Sequence, residues 1–217
     1  MKIAIIGATG FVGSEVLKEA LDRGHEVTAI ARNTEKIEVK NDLLNTASLD
    51  VKQKEKLIEV LKGNEVVIST FNPGWTNPNI YEDYLKGAQA IQEAVKASGV
   101  KRLIVVGGAG SLFLNERTRV IDSPNFPEEI KPGALAACEY LEILKRENEL
   151  DWTFFSPAIE MAPGKPQERK NTYRKGFDKP VFDKQGKSDL SVQDTAVVLV
   201  DEAENAAHIK QRFTAAY

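Results

Sequence analysis

This 217-residue chain has little that metals, disulfides or membranes require. One cysteine, Cys138, excludes an internal disulfide framework and fits a reducing compartment. The two histidines, His25 and His208, stand far apart, and with one thiol they leave no metal-ligand constellation. His25 precedes an apolar run and reads as a surface residue; His208 falls in a polar segment near the end. No apolar stretch approaches the roughly 20 residues that span a bilayer. Residues 1–7 are too short for the apolar core of a secretory signal. Neither sign of charge dominates. The 29 Lys and Arg against 32 Asp and Glu give a net charge of −3, interspersed, so no basic stripe suggests nucleic acid. These absences describe a cytoplasmic protein, monomer or homodimer, whose partner is a small molecule. What the chain does have is 42% hydrophobic residues, enough to build one sizeable domain over residues 1–217.

The apolar residues fall into an alternating order. Short buried-strand runs are expected at Lys2–Ile6 (KIAII), Glu26–Ala31, around Leu43–Ala47, Val66–Thr70, Arg102–Val106, Trp152–Ser156 and Arg212–Ala216. Helical spacing is expected over Phe11–Arg23, Lys52–Leu61, Tyr81–Ser98, Pro132–Glu149 and Val192–Glu202, with Gly24 and Gly99 as stops and Ser191 as a cap. This alternation predicts an α/β fold of Rossmann type: a doubly wound parallel sheet with helices on both faces. The loop-rich stretches 71–80, 107–131 and 157–190 each follow a strand. Ligands of open α/β sheets bind outside the carboxyl ends of strands, so these loops are expected to crowd one site.

The first strand runs into GATGFVG, where Gly7, Gly10 and Gly13 lie three apart before a helix. A dinucleotide turn needs glycine for the sharp bend, for backbone approach to a pyrophosphate and for close helix–sheet packing. The amides at the start of the Phe11 helix then face the phosphates. About 20 residues on, NAD binders usually place an acid on the ribose, whereas Arg32 and Asn33 stand here with no acid at 29–33. A guanidinium suits a 2′-phosphate, which favours NADP and leaves NAD as the alternative. A solvated arginine at a strand end is the competing role.

With GATGFVGS (7–14), ARN (31–33), LDV (49–51), ISTFNPGW (68–75), VVGGAGSLF (105–113), FFSPA (154–158) and SVQDTAVVLVDEAE (191–204), the chain resembles an atypical short-chain dehydrogenase/reductase. Within that superfamily it is similar to the NAD-dependent epimerase/dehydratase-like and NADH-flavin reductase group, near the NmrA-like regulators and biliverdin-IXβ/flavin reductase. The resemblance implies that Thr9, Phe11 and Val12 line the pyrophosphate turn and that Asp50 and Val51 contact the adenine. It implies Ser69, Thr70 and Phe71 beside the nicotinamide ribose, and Gly107, Gly108, Ser111, Ser156 and Pro157 at the border of nicotinamide and acceptor. Ordinary packing competes for each of these last positions.

The superfamily's Tyr-x-x-x-Lys acid/base pair is absent. Four residues after Tyr81, Tyr84, Tyr140 and Tyr173 stand Leu85, Ala88, Leu144 and Phe177, and Tyr217 is the last residue. Ile130 and Ala134 occupy the expected helix positions, and Lys145, five past Tyr140, is rotated off its face. Sugar epimerisation needs that pair, whereas hydride transfer to a flavin or another conjugated acceptor needs only two flat rings held together. Phe71, Trp75 and Phe113 lie in loops from which they could stack on such an acceptor, and Ser111 is the candidate for orienting it. Asp83, Glu139 and Glu160 are acids that nothing singles out. A binding-only NADP sensor of the NmrA kind, or an epimerase with unrecognised acid/base residues, are the alternative functions. Cys138, on a helix whose apolar face is expected to include Leu135, Leu141 and Leu144, reads as an inert buried thiol.

Overall fold

The computed structural model describes residues 1–164 and 168–217; residues 165–167, inside the expected 157–190 loop, lie outside the described residues. Eight strands form one sheet: β1 (Lys2–Ile6), β2 (Glu26–Ala31), β3 (Leu44–Ser48), β4 (Val66–Ser69), β5 (Arg102–Val106), β6 (Asp151–Ser156), β7 (Arg174–Gly176) and β8 (Gln211–Ala216). Their order is β3-β2-β1-β4-β5-β6-β8-β7. Every pairing is parallel except β7 with β8. The chain starts in the middle and winds outward twice, so strand order reverses between β1 and β4, which is where an open α/β sheet leaves its crevice.

The strands form because their residues are apolar on both faces and both faces are covered. Helices α1 (Phe11–Asp22) and α5 (Val192–Asn205) pack side by side on one face; α2 (Lys54–Leu61), α3 (Ile80–Ser98) and α4 (Lys131–Leu144) cover the other. Neighbouring residues of β6 show the alternation: Phe154 is buried among Tyr84, Tyr140 and Leu141, and Phe155 against Phe213 and Leu199. Each fully buried phenylalanine contributes about 1.5–3 kcal/mol of apolar burial. Gly99 ends α3 in the left-handed conformation (φ 86°), and the Ser191 side chain caps α5 by accepting the Asp194 N–H, both as expected.

Four features differ from the sequence expectation. The fourth helix ends at Leu144 rather than Glu149, because the Glu147 carbonyl is turned to accept the Trp152 indole N–H and its carboxylate gathers Gln92, Lys96 and the Glu149 N–H. His25 is buried, not on the surface: its Nε2 lies 2.8 Å from Glu204 Oε1. His208 is likewise buried, stacked on Phe213 with ring centroids 4.1 Å apart and Nδ1 2.6 Å from Glu202 Oε2. Each imidazole is carried inside by a carboxylate, Glu204 on the far helix for His25 and Glu202, within the same stretch of chain, for His208. The fourth is β7, an edge strand inside the expected loop, too short and too charged to show an apolar pattern.

Candidate functional site

At the carboxyl end of β1 the chain turns on Gly7, whose φ of +84° belongs to the left-handed region. Its N–H donates to the Ile30 carbonyl (2.9 Å), and its carbonyl accepts the Gly10 N–H (2.9 Å). A Cβ at Gly13 would lie 2.2 Å from the Gly7 carbonyl oxygen and 2.6 Å from Thr70 Oγ1. No side chain fits there, so α1 can start hard against the sheet. Thr70 locks the arrangement from β4, its hydroxyl donating to the Ile6 (2.9 Å) and Gly7 (3.2 Å) carbonyls.

Gly10 occupies the N-cap of α1 without a side-chain cap, and the first turn contains no acid. The opening N–H groups of an α-helix have no intrahelical partner, and here no carboxylate competes for them. Phe11 is exposed at the turn, while Thr9 and Val12 are half-buried.

The parallel topology brings the other expected positions to the same edge. Arg32 is exposed after β2 with no ion pair among the described residues. Asn33 spends its side chain on the Glu35 N–H (2.9 Å). Asp50 accepts the Lys52 N–H (2.8 Å), and Val51 is buried in the α2–α3 core, so this pair shapes the turn before α2. Ser69 is buried in β4. Phe71 turns inward beside Gly87, where a Cβ would lie 2.3 Å from the ring, and it packs 6.2 Å from Tyr84. That placement makes it a wall, not a stacking surface. Trp75, by contrast, is 53% exposed, with the edge of its ring against Gly133 of α4.

On the acceptor side, Gly107 and Gly108 follow β5. A Cβ at Gly107 would fall 1.9 Å from the Phe154 ring, so only glycine permits that turn. Ser111 is 4% exposed, its hydroxyl 3.2 Å from the Gly108 carbonyl it donates to and 3.1 Å from Ser156 Oγ. Ser111 and Ser156 therefore tie the β5 and β6 turns together, with Pro157 buried beside them. The Ser111 carbonyl accepts a 2.5 Å bond from Arg212 on β8, whose guanidinium also holds Asp178 and lies 5.7 Å from the Phe113 ring centroid. Arg212 escaped the sequence reading because its partner Ser111 is 101 residues away.

Tyr140, Tyr84 and Tyr81 offer no substitute acid/base. Burial pushes the Tyr140 and Tyr84 hydroxyls well above the ordinary phenol value. Tyr81 is raised by its hydrogen bond to Glu139 on the outer seam of α3 and α4. Burial also raises the Cys138 thiol to about 11, which makes it inert. Among the described residues no group of three or more His, Cys, Asp or Glu is placed to hold a metal, and no helix is long and apolar enough to cross a membrane. A concavity of about 790 Å³ lined by Val39–Leu44 and Thr46 opens beside the start of β3, away from the glycine turn.

Residues 7–206 match the NAD(P)H-binding family. The chain belongs to that family. Within it, the chain is similar to an uncharacterized Bacillus subtilis protein, YwnB, at 38% identity over 216 residues, covering 99% of this chain and 97% of that one. Its fold is that of a proposed epimerase from Bacteroides thetaiotaomicron (46% identity, TM-score 0.91, covering 100% of this chain and 96% of the other). It is also that of a proposed NADH-flavin reductase from Streptococcus pneumoniae (36% identity, TM-score 0.86, covering 100% and 99%). The family supports a nicotinamide cofactor, and the fold is of the atypical short-chain dehydrogenase/reductase-like kind.

Proposed function

We propose that the protein is an NADPH-dependent reductase that passes hydride to a flat, conjugated acceptor such as a flavin, without a tyrosine–lysine pair. The observation that carries this reading is the glycine turn. Gly7 and Gly13 let α1 start hard against the sheet, where a Cβ would strike Thr70 or the Gly7 carbonyl, and they leave an uncapped, acid-free helix start at its carboxyl edge. Those features fit a diphosphate. Thr9, Gly10, Phe11 and Val12 would hold it, Arg32 the 2′-phosphate, and the 107–108 and 156–157 turns would border the nicotinamide. A reduced nicotinamide bound there supplies a hydride.

The chain's own contribution is then positioning. Phe71 and Ser111 are built into the walls, and Trp75 and Phe11 are exposed apolar surface at the rim. A flavin accepts hydride into a delocalised ring and takes its proton from water, so no buried acid is required. An epimerase would need the acid/base that Tyr84 and Tyr140, both buried, do not supply.

NADPH oxidation should depend on added flavin or quinone. Cofactor binding with no turnover across that panel would instead support the binding-only sensor, which the burial of Ser111 favours. Arg32→Glu should weaken NADPH binding about 10–100-fold, from loss of a guanidinium–phosphate pair and added repulsion, and leave NADH nearly unchanged. Titration of both cofactors checks it, and equal losses would remove Arg32 from the site.

A further inference from the structure

The excursion between β6 and α5 carries a charge imbalance that the whole chain conceals. From 168 to 187 it holds Arg169, Lys170, Arg174, Lys175, Lys179, Lys184 and Lys187 against Glu168, Asp178 and Asp183. Its second half, a strap over 178–187, is fixed at both ends to the turns that border the acceptor side. The Phe113 N–H, beyond the β5 turn, donates to the Asp178 carbonyl (2.8 Å). Beyond β6, the Ile159 N–H donates to Ser188 Oγ (3.3 Å) and the Glu160 N–H to the Ser188 carbonyl (2.8 Å). Pro180 and Ser188 are buried, and Val181 packs on the core, so the strap is ordered in advance of any ligand.

Both acids of the strap are held by the protein, Asp178 by a cation and Asp183 by neutral N–H groups that leave its charge in place. Asp178 is bound by the buried Arg212, and Asp183 Oδ1 accepts the Gln185 and Lys187 N–H groups at 2.8 Å each. Lys179, Lys184 and Lys187 are exposed and form no ion pair among the described residues. The carboxylates on the segments beside them are Glu160 and Asp189. With the Asp178 charge matched by Arg212, the strap itself keeps three lysines against the single charge of Asp183, an excess of positive charge.

We infer that this strap recognises an anion on the acceptor, and that the acceptor is a phosphate monoester whose charge lies away from its reducible ring. The inference rests on the reductase reading and narrows it. FMN and riboflavin share one ring and differ by that phosphate, so together they isolate the strap's contribution. Flavin affinity is measured by fluorescence quenching, with NADP⁺ present to keep the flavin oxidised, and turnover is measured separately with NADPH. FMN should bind about tenfold tighter than riboflavin, a preference that shrinks at high salt because exposed charges are screened. The double variant Lys184→Glu/Lys187→Glu should abolish the preference, while Lys101→Glu, at the opposite end of β5, should keep it. Equal affinity for FMN and riboflavin in the wild type would overturn the inference and leave the reductase reading standing. So would a preference that survives in the double variant. Reduction of neither flavin would fail the reductase reading itself, and the inference with it.

Discussion

The two halves of the sheet's carboxyl edge are built by different means. Around β1, β2 and β4 the site is backbone: Gly7 bends, Gly10 caps, Gly13 makes room, and Thr70 fastens the turn from the neighbouring strand. Around β5, β6 and β8 it is side chain. Ser111 meets Ser156, Arg212 reaches Ser111 and Asp178, and Asp194, fully buried, gathers the Lys170 and Asn171 N–H groups with the Ser191 and Tyr217 hydroxyls. A cradle of peptide groups can hold only what every dinucleotide shares. A wall of bridged side chains can differ between proteins of one fold, which is where acceptor choice belongs.

That contrast can be broken at single residues. The largest effect on cofactor binding is expected at Gly13→Ala, where the new methyl collides with the Gly7 carbonyl and Thr70. Overpacking of this kind costs about 1–3 kcal/mol, and moving the helix start should weaken cofactor binding about 100-fold or more. Thermal melting and titration read the two separately. Unchanged binding would show that the turn is only a bend.

Asp194→Ala tests the other half and should cost about 2–4 kcal/mol, because four donors lose a buried acceptor while the glycine turn keeps its shape. Burial pushes the Asp194 carboxyl up, but the Lys170 N–H, Tyr217 hydroxyl, Asn171 N–H and Ser191 hydroxyl outweigh it, so its value is depressed below 3.8. A depressed folded-state value gives stability that is present above pH 3.8 and lost as pH falls through the folded-state value. Wild-type melting temperature should therefore drop in that acid range, and the variant should lack this component of the drop.

Arg212→Met should be milder, about 1–3 kcal/mol, since Asp178 keeps solvent while the Ser111 carbonyl loses its donor. Acceptor turnover should fall with cofactor affinity retained. Loss of both would erase the distinction between the halves.

The first half was legible in the sequence because its determinants are local. KIAII, three glycines and a helical stripe sit within about twenty residues, and each constrains the next through backbone sterics. The strand–helix alternation and the Ser191 cap followed from the same short-range logic. The second half was not. Nothing near Arg212 announces a partner at Ser111, 101 residues away. The sequence places Phe71, Trp75 and Phe113 in loops from which they could stack on an acceptor, with loop packing the competing role. Phe71 instead fills space beside Gly87, and Phe113 lies over Arg212, because tertiary neighbours decide where an aromatic ring turns. The basic strap was hidden by averaging: a net charge of −3 with mixed signs conceals a local excess of lysine.

The central claim is that backbone amides where the first crossover begins hold the diphosphate of a pyridine nucleotide. Isothermal titration of the protein with NADPH, repeated with the Gly13→Ala variant, addresses it most directly. Saturable heat at one site per chain in the wild type, lost in the variant, is the expected result. No heat with NADPH or NADH, or equal affinity in the two proteins, would contradict it.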